Sequence, residues 1–388
     1  MTDSWAGGRR PRARELGIAI GDLEPGPRNA ITDVAGVGVG HCTLVRGDGA
    51  LVVGRGPVRT GVTVVMPHDG DVGVAPIYAG AHRLNGNGEM TGLEWIRETG
   101  RLSWPIAITN THSVGVVRDA LIGLEVASRP AVATAWILPV VAETWDGRLN
   151  DINGMHVRPE HVAQAVARVS RDWVEEGNVG GGTGMVAFGF KGGAGTASRL
   201  VPVAGGGAKA SYRVGVLVQA NFGRRSRFTV SGVPVGKLMP ADDVPLPGPA
   251  PEPASPSGAG SVIVIAATDA PLLPHQCERV ALRIGLGIGR LGGAGENSSG
   301  DLFLCFATGN RAPVEPGASA RSRLAHTVRT LNDDYIDPLF DAVIEATEEA
   351  VLNAMLAAET MTGRDGVTAH ALPAERLVEL LDRYRAQA

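Results

Sequence analysis

Glycine is the feature that most constrains this chain. It supplies 54 of 388 residues, about twice the usual share of roughly 7%. Aromatic residues make up only 4%. A chain so composed must fold with many turns and close backbone approaches, around a core of small and β-branched side chains. The apolar runs agree. GVTVVMPH (61–68), PIAITNT (105–111), AWILPVVAET (135–144) and YRVGVLVQANFG (212–223) are short and bounded by glycine, proline or asparagine, the pattern of buried strands. Helical patterns lie between them. GLEWIRETG (92–100) is closed by glycine. PEHVAQAVARVSRDWVEEG (159–177) has proline near its start, helically spaced apolar residues and Gly177 as its cap. Later come a strand over 261–268, helix 274–290, strand 301–310, a long amphipathic helix near 333–358 and a short helix over 373–386. Strands and helices alternate without clean βαβ units, which predicts a layered α/β domain.

Charge and cysteine content exclude several classes. Lys and Arg number 36 against 40 Asp and Glu, a net charge of −4 with no long like-charge run. That leaves no nucleic-acid footprint and no polybasic membrane patch. No apolar run approaches the roughly 18 residues of a membrane helix. Cys42, Cys277 and Cys305 are widely spaced. They suggest neither a disulfide framework nor a metal pair, and fit a reducing compartment. Residues 1–14 carry arginines without an apolar stretch and read as a disordered basic tail, not a secretory signal. A cytoplasmic protein is expected.

Several short motifs fail on context. GIGRLG (287–292) matches a dinucleotide-binding pattern but closes a helix where that pattern must open one. GGGTG (180–184) lacks the lysine of a phosphate loop. The nine histidines are scattered without metal-ligand spacing, and no metal or cofactor is expected. His112 reads as structural. No G-x-S-x-G elbow occurs.

One junction carries more. Residues 239–260, MPADDVPLPGPAPEPASPSGAG, are proline-rich with almost no core-forming residue, which predicts a solvated, polyproline-like or disordered segment. It stops at Gly260, and Ser261 opens the apolar run Val262-Ile263-Val264-Ile265. Read alone, this is more simply a linker meeting a strand. The sharper reading is a cleavage site. A serine hydroxyl needs a base. A chain cut before Ser261 supplies one on the same residue, an α-amine titrating near 7.7–8.0. Glycine at 260 permits the close approach such a cut requires.

The rest of the chain favours the sharper reading. NAITDVAGVGVGHCTL (29–44), LNGNGEMTG (84–92), ITNTHSVG (108–115), EGNVGGGTGM (176–185), GVLVQANFG (215–223), GSVIVIAATDAPLLPHQ (260–276) and NSSGDLFLCFATGN (297–310) together resemble the L-aminopeptidase/D-esterase family. These are self-cleaving N-terminal-serine aminopeptidases that include β-peptidyl aminopeptidases. The resemblance implies a four-layer α/β/β/α sandwich similar to N-terminal nucleophile hydrolases, with different connectivity. It implies one hydrolase domain over 15–388, cleaved into an α-subunit 1–260 and a β-subunit 261–388 that stay together as a homo-oligomer of αβ units. It further implies a metal-free enzyme acting on small peptides, amino-acid amides or esters.

Carried over residue by residue, the resemblance implies Gly260-Ser261 as the self-cleavage bond and Ser261 as nucleophile. Asn221 becomes the oxyanion donor. Ser299 assists Ser261 through its Oγ or its amine, and Asp301 two residues on orients Ser299. Their spacing puts both on one face of a strand. Without the resemblance, Asn221 reads as a turn residue and Ser299–Asp301 as a turn entering a strand. Glu143 is the candidate partner of a substrate ammonium, with Asp146 second, and Trp145 in the same segment is a candidate substrate-binding residue. A solvated loop acid is an equal reading of Glu143. The family's tyrosine near this segment is missing, with Trp145 and Arg148 in its place. Two alternatives stand: an acyltransferase of the ornithine acetyltransferase type, whose nucleophile is threonine, and an uncleaved, non-catalytic binding protein on the same scaffold.

Overall fold

Two β-sheets stack face to face, and each is backed by helices. The computed structural model describes residues 9–129, 136–203, 211–248, 260–311 and 327–386. The first sheet holds β1 (Gly38–Arg46), β2 (Val58–Met66), β5 (Ile106–Asn110) and β6 (Val140–Thr144), in that spatial order. The second runs β4 (Arg101–Leu102), β3 (Ile77–Arg83), β12 (Gly300–Ala307), β11 (Ser261–Thr268), β10 (Ser211–Asn221) and β9 (Gly193–Pro202). Short hairpins pair β7 (Val186–Ala187) with β8 (Phe190–Lys191), and β13 (Met361–Thr362) with β14 (Thr368–Ala369). The helices are α1 (Leu93–Thr99), α2 (Val114–Ser128), α3 (Pro159–Ala167), α4 (Val235–Leu238), α5 (Pro274–Arg290), α6 (Asp337–Ala357) and α7 (Ala374–Arg385). Among the described residues no helix is long and apolar enough to cross a membrane.

Strand alternation sorts the core into three layers. On β11, Ile263 and Ile265 point toward the first sheet and meet Ile106, Ile108 and Ala142. Val262 and Val264 point the other way, toward Val280 and Ile284 of α5 and Val343 and Leu352 of α6. The outer face of the first sheet buries Val62, Val64 and Val141 against Val117 and Leu121 of α2 and Val162 of α3. The result is the expected α/β/β/α sandwich. Each fully buried branched side chain contributes about 1.5–3 kcal/mol.

Glycine lets the outer helices sit close. A Cβ on Gly40 of β1 would lie 2.1 Å from Ala165 O of α3, and one on Gly195 of β9 would lie 2.2 Å from Ala350 O of α6. Several phenylalanines form one cluster, where Phe188 packs on Phe222 at 5.0 Å and on Phe228 at 4.8 Å.

Three expectations need correction. The helix from 159 ends at Ala167, about ten residues early. Ser170 instead exchanges two 2.9 Å backbone hydrogen bonds with Val39 of β1, and Gly177 bridges Ala194 of β9 rather than capping a helix. The tail ends earlier than expected. Residues 1–8 lie outside the described residues, but Arg12 is buried and pairs with Glu176 at 2.7 Å, and Ala13 N–H donates to Asn353 Oδ1 at 2.9 Å. The proline-rich segment starts packed. Met239 is fully buried, and the Arg225 guanidinium donates to Met239 O and Val244 O, both at 3.1 Å. Its remainder, 249–259, lies outside the described residues.

Candidate active site

The junction between the proline-rich segment and β11 lies at the centre of the second sheet. Ser261 is the first residue of β11, paired across the antiparallel ladder with Asn221 and across the parallel ladder with Gly300. The serine is 3% exposed. Gly260 leaves no room for a side chain, because a Cβ there would lie 2.2 Å from Asn221 O. Its carbonyl accepts the Gly300 N–H at 3.3 Å.

The two sheets meet at Trp145, just past β6. Trp145 N–H donates to Ser261 Oγ at 3.3 Å, and Asn221 Nδ2 donates to Trp145 O at 2.9 Å. Val186 N–H donates to Asn221 Oδ1 at 2.9 Å, so the amide's orientation is fixed. The indole lies over Gly147, where a Cβ would approach it to 2.6 Å.

Ser299 Oγ donates to Asp301 Oδ1 at 2.6 Å, joining the expected pair. Burial pushes the Asp301 carboxyl above its ordinary range, against the hydrogen bonds from Ser299 and Asn85. The register pairs Asp301 with Val262, not with Ser261, and paired residues share a face. Asp301 therefore lies on the helix side, and Ser261 on the side of the first sheet. Among the described residues Ser299 makes no hydrogen bond to Ser261. Neither expected target is engaged: the Ser261 Oγ lies on the other face of the sheet, and the Gly260 carbonyl faces β12, so the Ser261 N–H of the same trans peptide points toward β10.

Glu143 is buried near the end of β6. Thr111 Oγ1 donates to its Oε2, and Glu89 N–H donates to its Oε1 at 2.9 Å. Burial pushes this carboxyl up, and the Thr111 and Glu89 hydrogen bonds oppose that. A side chain on Gly88 would meet Glu143 Oε1 and Gly300 Cα, each at 3.0 Å. Only one glycine thus separates Glu143 from the cross-strand neighbour of Ser261. Asp146 is fully buried and accepts from Asn150 Nδ2 at 3.0 Å, while its Oδ2 has no partner. Burial pushes it up to about 7. Its place behind Trp145 suits an anchor of that segment better than a substrate contact. Arg148 donates to Pro247 O at 3.2 Å and Gly248 O at 3.3 Å, tying down the start of the proline-rich segment.

Sequence reasoning did not single out the backbone of Trp145, the close-packed Gly88 and Gly300, or Asn85. For Asn85 and Gly88 the only signal was the Asn- and Gly-rich run LNGNGE. Among the described residues no group of three or more His, Cys, Asp or Glu is arranged to hold a metal.

A four-layer sandwich with a buried serine heading a central strand defines a scaffold of the N-terminal-nucleophile hydrolase type. The sequence pattern of peptidase family S58 matches residues 29–369, and the chain belongs to this family of aminopeptidases. It is 49% identical to β-peptidyl aminopeptidase BapA of Sphingosinicella microcystinivorans, over 97% of this chain and 93% of that one. The fold superposes on a Burkholderia sp. β-aminopeptidase with a TM-score of 0.85 at 48% identity, covering 96% of this chain and 99% of that one. It superposes equally, at 43% identity and over 98% and 100% of the two chains, on the L-aminopeptidase D-Ala-esterase/amidase of Ochrobactrum anthropi. That enzyme is described as a prototype of the serine aminopeptidases and a new variant of the N-terminal-nucleophile hydrolase fold.

Proposed function

We propose that the protein is a self-processing, metal-independent serine aminopeptidase whose nucleophile is Ser261. The observation that carries this reading is the Gly260–Ser261 junction. A serine heads the central strand, directly behind a residue whose surroundings admit only glycine. In the uncut chain Ser261 Oγ attacks the Gly260 carbonyl carbon. The Gly260–Ser261 C–N bond breaks, the nitrogen takes the hydroxyl proton, and water hydrolyses the resulting ester. The products are a Gly260 carboxylate and a Ser261 with free amine and hydroxyl.

In turnover the Ser261 amine takes the Oγ proton as the oxygen attacks the substrate acyl carbon. Asn221 donates its second amide hydrogen to the developing oxyanion. The proton passes to the leaving amine or alcohol, and water releases the acyl part. Ser299, oriented by Asp301, accepts a hydrogen bond from the Ser261 ammonium. Glu143 pairs with the ammonium of the substrate, and Trp145 flanks it. The relatives' names support short peptides, amides or esters with α- or β-amino N-termini as substrates. We place the enzyme in the cytoplasm, as a homo-oligomer of cut chains.

Intact mass and N-terminal sequencing of purified protein test the cut: a fragment beginning at Ser261 is expected. Ser261→Ala should stay one chain without turnover of aminoacyl amides, and chelators should leave the parent's rate unchanged. An uncut parent that still turns over substrate overturns the reading.

A further inference from the structure

The run LNGNGE has no role in the chemistry above, yet it holds both acidic groups of the site. Leu84 N–H donates to Asp301 O at 3.0 Å, and Asn87 N–H to Ser299 O at 3.2 Å. Glu89 N–H donates to Glu143. Between these, the side chain of Asn85 makes a two-point contact with one residue. Its Nδ2 donates to Asp301 Oδ2 at 2.9 Å, and its Oδ1 accepts the Asp301 N–H at 2.6 Å. The same Nδ2 also donates to Glu296 O at 3.2 Å. The Asp301 carboxylate thus has one oxygen held by Asn85 and the other by Ser299.

We propose that Asn85 is a positioning residue that keeps Asp301 ionised and so fixes the direction of the Ser299 hydroxyl. With Asp301 ionised, Ser299 must donate to it, and the lone pairs of Ser299 are left to accept from the Ser261 ammonium. With Asp301 protonated, the carboxyl donates instead. The Ser299 hydrogen then turns toward the amine and opposes its protonation. A hydrogen bond to the charged form favours that form, and Asn85 supplies one to a carboxyl that burial disfavours as an anion. The surrounding charges give little help. Glu296 faces Asp301 with like charge and is paired with Arg224 at 3.6 Å and Arg227 at 3.2 Å. From β3, Arg83 and His82 stand opposite Leu302 and Phe303, not Asp301. From β11, Val262 offers only its backbone.

The inference rests on the proposed roles of Ser261 and Ser299, and its test separates the two. The pH profile of kcat/KM is measured for the parent, Asn85→Ala, Asn85→Asp and Ser261→Ala, with melting curves to check folding. Asn85→Ala should move the acid limb up by about one unit, the size of a charged hydrogen bond lost. It should lower kcat ~10–100-fold at neutral pH, less than the ~10²–10⁴ of an acid–base group itself, with KM little changed. Asn85→Asp keeps the shape but replaces a donor by an acceptor. It should work while the introduced carboxyl and Asp301 share a proton and lose activity as pH rises. A variant that arrives uncut is followed by its cleavage at Gly260–Ser261 across the same pH range, with the same displacements expected. Profiles of both variants that match the parent except in scale overturn the inference, as does an Asn85→Asp variant inactive at every pH. Full activity in Ser261→Ala overturns instead the reading on which it rests.

Discussion

Asn221 has two amide hydrogens, and Trp145 O takes one of them. The other has no protein acceptor among the described residues. Asn221→Ala should therefore lower kcat by ~10²–10³, the usual loss for one oxyanion donor, with KM nearly constant in steady-state assays. Two other buried groups make stability depend on pH. Asp146 is raised from 3.8 to about 7, so its contribution is full below about pH 4 and is lost as pH rises to about 7. Lys191 is lowered by burial from 10.5 to about 7, so its penalty is relieved between about pH 7 and 10.5. Melting temperatures across pH should pass through a minimum near neutrality, and Asp146→Asn should flatten the acid side. Ser261 stood out locally as the first residue of an apolar run, whereas Asn221, Ser299 and Asp301 were singled out only through the family resemblance, since their own surroundings in sequence read as turns. Asn85 and the main-chain contacts of Trp145 were not legible at all. One acts from a loop and the other through main-chain atoms, and only the folded registers bring either to the site.

At the scale of elements, glycine serves two purposes that the sequence does not distinguish. Gly195 lies under α6 with no room for a Cβ, whereas Gly289 on the exposed side of α5 has nothing within 4 Å. Gly195→Val should destabilise by about 1–3 kcal/mol or more, as overpacking does. Gly289→Ala should stabilise by about 0.5–1 kcal/mol, with denaturant titration reading both. Strands were the readable elements, because continuous burial gives continuous apolar runs. The helix from 159 was overextended because apolar spacing continues past Ala167, while Ser170 leaves the helix to pair with Val39 of β1. Long-range pairing of that kind leaves no local trace.

At the scale of the molecule, the four layers followed from the alternation of strand and helix together with the family resemblance. The connectivity did not, since spatial order in the second sheet departs from chain order. That order has a consequence for the protein's history. β11 and β12 are flanked by β3 on one side and β10 on the other, so the piece beginning at Ser261 would be threaded between strands of the piece ending at Gly260. Neither piece can keep the sheet without the other. Before the cut, refolding is a reaction of one chain. After the proposed cut, refolding would be an encounter of two, each without a complete sheet. Ser261→Ala should refold from denaturant at a rate independent of protein concentration. The cut protein should refold more slowly on dilution and lose yield. By breaking one peptide bond the enzyme would give up its way back from the unfolded state, and its working lifetime would be set by how slowly it unfolds.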